Sequence, residues 1–128
     1  MSIIIGYVPN ERGEAAYAKA LSLAAGLGQE LVIMNSSGRH SHIDPRLAAE
    51  SDLEALVARA REAGVAARTE RSAGADGPEA LIEASHAEDA DMLVIGIRKR
   101  SQVGKLLLGS DAQRILLEAT CPVLAVKA

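Results

Sequence analysis

The sequence predicts an α/β protein built on an open five-stranded parallel sheet, strand order 3-2-1-4-5, with helices on both faces. Short β-branched runs alternate along the chain with amphipathic segments, the mark of successive βαβ units. Three of those runs, Ile3-Ile4-Ile5, Leu31-Val32-Ile33-Met34 and Met92-Leu93-Val94-Ile95, are continuously apolar, as strands covered on both faces are. The composition agrees: 24 Ala, two Tyr and no Phe or Trp in 128 residues supply small side chains that let helices approach a sheet closely.

Taken in order, Ile3 to Ile5 form the first strand. A helix follows with Ala16, Ala20, Leu23 and Leu27 on one face, closed by Gly28 just past its C-terminus. After the second strand, Leu53, Leu56, Val57 and Ala60 share a face of the next helix, which Gly64 closes. From Val65 to Arg71 the chain sets Val65, Ala67 and Thr69 against Arg68 and Glu70, the alternation of a strand with one wet face, hence an edge. The third helix starts at Gly77-Pro78, with Pro in the first helical position, and carries Leu81 and Ile82. The fourth places Ala112, Ile115, Leu116 and Ala119 inward and Gln113, Arg114 and Glu118 outward. Pro122 then opens the last strand, where a missing N–H is tolerated. Right-handed crossovers and the central character of strands 1, 2 and 4 set the order. The chain reverses direction between strands 1 and 4, so the ligand crevice is expected outside their carboxyl ends, lined by residues 6–13 and 96–110.

This length suits one domain over residues 1–128. A net charge of −3 gives no general attraction to nucleic acid or an anionic membrane, and Tyr7 and Tyr17 alone make a poor platform for stacking bases. No apolar run approaches the ~20 residues that cross a bilayer. Cys121 has no second cysteine to pair with. The expectation is a soluble, cytoplasmic protein with neither nucleic acid nor membrane as partner.

The chemistry concentrates between the fourth strand and the fourth helix, a long connection for a compact domain. Gly96 ends the strand where a backbone can approach a ligand. Gly109-Ser110 stands at the helix N-terminus, where unpaired N–H groups and the dipole favour an anion, and Arg98, Lys99, Arg100 and Lys105 add four cations. The residue types also permit a plainer reading. Ser110 is a good N-cap, and Asp111 complements the dipole with no ligand present, and would repel one. A basic patch facing a partner is a third reading.

This segment, with Leu106-Leu107-Leu108-Gly109-Ser110 and the closing Cys121-Pro122-Val123-Leu124-Ala125-Val126, resembles the C-terminal signature of the universal stress protein family, and the order of elements and the Ile-Ile-Ile-Gly opening fit along the whole chain. The resemblance implies a Rossmann-like fold of the adenine-nucleotide alpha-hydrolase type, a role in stress response, usually a homodimer, and in one branch ATP binding. That branch carries Gly, two residues, Gly, nine residues, Gly and Ser or Thr. Here Gly96, Gly109 and Ser110 keep their places, and Lys99 replaces the second Gly. A side chain there restricts the backbone and fills space, while its charge suits a phosphate.

After the first strand, where ATP-binding members carry an Asp, this chain reads Tyr7-Val8-Pro9-Asn10, with Val8 at the matching position. Asn10 offers a polar contact but no carboxylate. At the end of the second strand the residue matching the family's adenine contact is Ser36. The candidate nucleotide-binding residues are therefore Tyr7, Val8, Pro9, Asn10, Ser36, Gly96, Arg98, Lys99, Gly109, Ser110 and Asp111, for ATP with magnesium.

Elsewhere, His40, His42 and Asp44 lack an obvious fourth metal ligand and read as a solvated loop. His86 stands among Glu83, Glu88, Asp89 and Asp91, as a surface residue does. Cys121 reads as a small packed residue rather than a nucleophile. No motif supplies a catalytic set. Val123 to Val126 would leave an apolar edge, which a second copy pairing antiparallel would cover. The expected function is a non-catalytic adenine-nucleotide binder or sensor acting as a homodimer with unknown protein partners. The alternatives are a dimeric interaction module that binds no nucleotide, and a weak ATP hydrolase.

Overall fold

The computed structural model describes residues 1–36, 50–72, 77–97 and 109–128. Strands β1 (Ser2–Gly6), β2 (Glu30–Ser36), β3 (Ala67–Ser72), β4 (Ala90–Ile97) and β5 (Val123–Lys127) alternate with helices α1 (Glu11–Leu27), α2 (Glu50–Glu62), α3 (Gly77–Ser85) and α4 (Ser110–Glu118). The sheet runs β3-β2-β1-β4-β5 with every pairing parallel, the order and class the sequence predicts.

Because strand side chains alternate, each central strand feeds two cores. Ile3, Ile5, Leu31, Ile33 and Val94 point to one face and pack with Ala16, Tyr17 and Ala20 of α1 and Leu53, Leu56 and Ala60 of α2. Ile4, Val32, Met34, Leu93, Ile95 and Ile97 point to the other and meet Ala80 and Leu81 of α3 and Ile115 of α4. Each fully buried aliphatic side chain stabilises the fold by roughly 1.5–3 kcal/mol relative to exposure. The sheet is thereby fixed from both sides.

Helix α1 is capped at both ends. Asn10 is its N-cap, its side chain accepting from the Gly13 N–H at 3.1 Å, and Gly28 closes it in the left-handed region with its N–H on Ala24 O. Tyr17, fully buried, donates its hydroxyl to Leu56 O at 2.6 Å and so ties α1 to α2. The Arg59 guanidinium lies over the Tyr17 ring, 4.8 Å from its centre, and pairs with Glu14 at 2.6 Å.

Several expectations need correction. The buried stripe of α1 is Gly13, Ala16, Tyr17, Ala20 and Ala24, while Leu23 is half-buried on its flank and Leu27, in the last turn, is exposed. The small residues and the bonded Tyr17 let the helix sit closer on that side than two leucines would. Val65 precedes β3 rather than belonging to it, because its N–H donates to Ala60 O in the turn that ends α2. Pro78 is the second residue of α3, still among the N–H positions that have no partner within a helix. Of α4 only Ile115 is buried; Leu116, expected inward, is 37% exposed.

Candidate functional site

At the carboxyl ends of β1 and β4, where the strand order reverses, a cavity of about 300 Å³ opens on the α3–α4 side of the sheet. This is the crevice the topology predicts. Its apolar wall is made by Met34 of β2, Leu81 of α3, Ile95 of β4 and Ile115 of α4. The polar rim comes from Arg12 in the first turn of α1 and from Gly109, Ser110 and Asp111 at the start of α4. Such a mix of apolar walls and few polar groups is typical of small-molecule sites, and the volume lies at their lower end.

The start of α4 differs from that of α1. Ser110, read from sequence as the N-cap, is the first helical residue; the cap is Gly109, with no side-chain hydrogen bond. The reason is geometric. Gly109 has φ +88°, a conformation that L side chains rarely adopt, and this turn delivers its carbonyl to the Gln113 N–H at 3.0 Å. Gly109 thus brings no side chain to cap the first N–H groups of α4, and among the described residues Ser110, Asp111 and Ala112 of that turn line the cavity. Helix ends of this kind favour an anion, and Asp111 in the same turn moderates that preference.

Between β1 and α1, Val8 is half-buried on the cavity wall, while Pro9 and Asn10 are exposed. Asn10 spends its side-chain oxygen on capping α1. Tyr7 reaches the cavity rim, but its ring belongs to the α1–α2 core. Burial raises its hydroxyl above the ordinary tyrosine value, Glu14 and Asp52 add to the effect, and Arg59 opposes it. Ser36 ends β2 opposite Ser72, two residues beyond Met34. Gly96 lines the cavity, yet its missing side chain is accounted for by packing. A Cβ there would lie 2.0 Å from Arg12 O, so α1 can rest on β4 only over a glycine.

Arg98, Lys99, Arg100, Lys105, His40, His42 and Asp44 lie outside the described residues. No cluster of His, Cys, Asp or Glu suited to a metal occurs among the described residues. His86 is exposed just past α3, its N–H on Glu83 O. Cys121 is half-buried, and burial foremost raises its thiol above the usual value, which keeps it protonated and a poor nucleophile.

Sequence reasoning placed Arg12 within the lining range 6–13 without singling it out, and missed Met34 and the α3 turn of Gly77, Pro78 and Leu81. Arg12 carried a signal: a cation in a helix's first turn opposes the dipole, and such local misfits cluster at functional sites.

The family model described as the Universal stress protein family matches residues 1–127. The chain belongs to that family. It is 39% identical to a universal stress protein of Mycolicibacterium smegmatis over 125 residues, 98% of this chain and 96% of the relative. A universal stress protein of Archaeoglobus fulgidus superposes with a TM-score of 0.80 at 27% identity, covering 98% of this chain and 97% of the other. A second structure from that organism, in complex with dAMP, gives a TM-score of 0.74 at 21% identity, with 98% and 96% covered. As in other universal stress proteins, the five parallel strands form a Rossmann-like core. No helix among the described residues is long and apolar enough to cross a membrane.

Proposed function

We propose that this universal stress protein is a non-catalytic binder of adenine nucleotides that acts as a homodimer in the cytoplasm. The observation that carries the binding reading is the cavity at the strand-order reversal, with the uncapped start of α4 on its rim. A phosphate suits those N–H groups and Arg12, and a base suits the apolar wall of Met34, Leu81 and Ile95. The dAMP complex of a protein of the same fold supports the same ligand class here. Val8 offers no ligand to a magnesium ion, and Asp111 is the one carboxylate among the described lining residues. A magnesium ion would therefore arrive on the phosphates of ATP rather than be held in a cage of protein oxygens.

Calorimetric titration of about 100 µM protein with AMP, and with ATP and magnesium, tests this. Saturable heat with a dissociation constant of a millimolar or tighter is expected, and no heat with either nucleotide overturns the reading.

The dimer reading rests on β5. Val123, Leu124, Ala125 and Val126 are only half-buried at the sheet's edge, and no charge appears before Lys127. An apolar edge of this kind is a template for a second strand. Antiparallel pairing of two β5 strands covers both edges, and sedimentation should find twice the 13.4 kDa chain mass at micromolar concentration. A species of 13.4 kDa alone contradicts it.

A further inference from the structure

The hydrogen bonds between β1 and β2 end near Gly6 and Met34, and the chain then leaves the sheet to build the cavity wall with Val8 and Arg12. Just beyond that point stands Asn35, a polar side chain only 1% exposed. It follows Leu31 and Ile33 on the α1–α2 face, where the sequence pattern calls for another aliphatic residue. Its Nδ2 donates to Tyr7 O at 3.0 Å, while the Tyr7 N–H donates to Met34 O at 2.9 Å. Both backbone groups of Tyr7 are thus held by β2, the second through a side chain where the strand ladder supplies nothing. From this fixed residue the connection continues through Asn10 N–H to Val8 O at 2.8 Å and the Asn10 cap on Gly13.

We infer that Asn35 is a positioning residue for the nucleotide site: it stands on the far face of the sheet, is not among the residues that line the cavity, and fixes through Tyr7 O the connection that presents Val8 and Arg12 to it. This rests on the nucleotide-binding reading for its functional consequence, but not for its structural part. A polar residue buried in an apolar stripe is costly unless its bonds are made, and here the bond holds one wall of a binding site in place.

The test compares Asn35→Ala and Asn35→Asp with Ser85→Ala. Ser85 is a similarly buried polar residue that bonds Thr120 at the amino end of the sheet, away from the cavity. In ligand-free protein, the amides of Tyr7, Asn10 and Gly13 should exchange faster in Asn35→Ala and at the wild-type rate in Ser85→Ala. AMP affinity should fall about tenfold in Asn35→Ala, the low end of what is lost when a group that orients a metal ligand is removed, and stay unchanged in Ser85→Ala. In Asn35→Asp the new carboxyl can donate to Tyr7 O only when protonated, and burial raises its pKa. Its affinity relative to wild type at the same pH should therefore recover as pH falls. Unchanged exchange at Tyr7, Asn10 and Gly13 in folded Asn35→Ala overturns the inference, as does unchanged AMP affinity. A wild-type protein that binds no AMP overturns the nucleotide reading instead, and amide exchange still decides the role of Asn35.

Discussion

The two faces of the sheet are built to different standards. On the α1–α2 face, α1 is capped at both ends, Tyr17 bonds across to α2, and α1 lies so close to β4 that Gly96 cannot carry a side chain. On the α3–α4 face, α4 has one buried residue, an uncapped start and two exposed leucines, Leu116 and Leu117, and a cavity separates it from the strand ends. Close packing leaves no room for a ligand, and a binding site needs unspent hydrogen-bonding groups and space. One face therefore carries most of the stability, and the other is free to carry function.

This contrast can be broken by substitutions that ought to act on one face only. A loss of stability among the largest is expected from Gly96→Ala, which drives a Cβ to 2.0 Å from Arg12 O; overpacking against backbone should cost about 3 kcal/mol in urea unfolding. Leu53→Ala in the closed core should cost about 3 kcal/mol and Ile115→Ala beside the cavity about 2 kcal/mol, since the half-covered helix can relax. Equal losses for the two would contradict the contrast.

Next in size, Tyr17→Phe removes the bond to Leu56 O, a carbonyl that stays within the α2 helix ladder, for about 1 kcal/mol. Alkali should act on the same face. The pKa values of Tyr7 and Tyr17 are raised in the fold, mainly by burial, so the protonated phenols belong to the folded state. Their contribution is complete below the ordinary tyrosine pKa of about 10 and is lost as pH rises through the higher folded values. Thermal unfolding should show a melting temperature that falls above about pH 10, less steeply in Tyr17→Phe. The smallest effect on stability belongs to Arg12→Ala, within about 0.5 kcal/mol for an exposed residue, although AMP binding should weaken severalfold. A large stability loss there would mean that the cavity rim is structural after all.

The sheet was legible in sequence because both of its cores draw on the same strands: Ile3-Ile4-Ile5 must be apolar throughout when Ile4 feeds one core and Ile3 and Ile5 the other. The crevice followed from strand order alone. What sequence could not convey was how deep each helix sits. Periodicity places Leu27 and Leu116 on apolar faces, but Leu27 falls in the last turn of α1, and α4 buries only Ile115 fully, with Ala112 and Ala119 partly covered beside it. The cap of α4 was misread because Ser110 has the right chemistry, whereas the backbone turn is decided one residue earlier at Gly109. Asn35 was invisible for a related reason: a single polar residue at a strand end reads as the end of the strand until its partner, 28 residues away at Tyr7, is known.

The most direct test of the whole account is an AMP titration followed by backbone amide shifts. Saturable shifts confined to Val8, Arg12, Gly96 and Ser110 to Ala112 are expected, with the α1–α2 core around Tyr17 and Leu56 unmoved. No shifts at millimolar AMP, or shifts centred on the α1–α2 face, would contradict it.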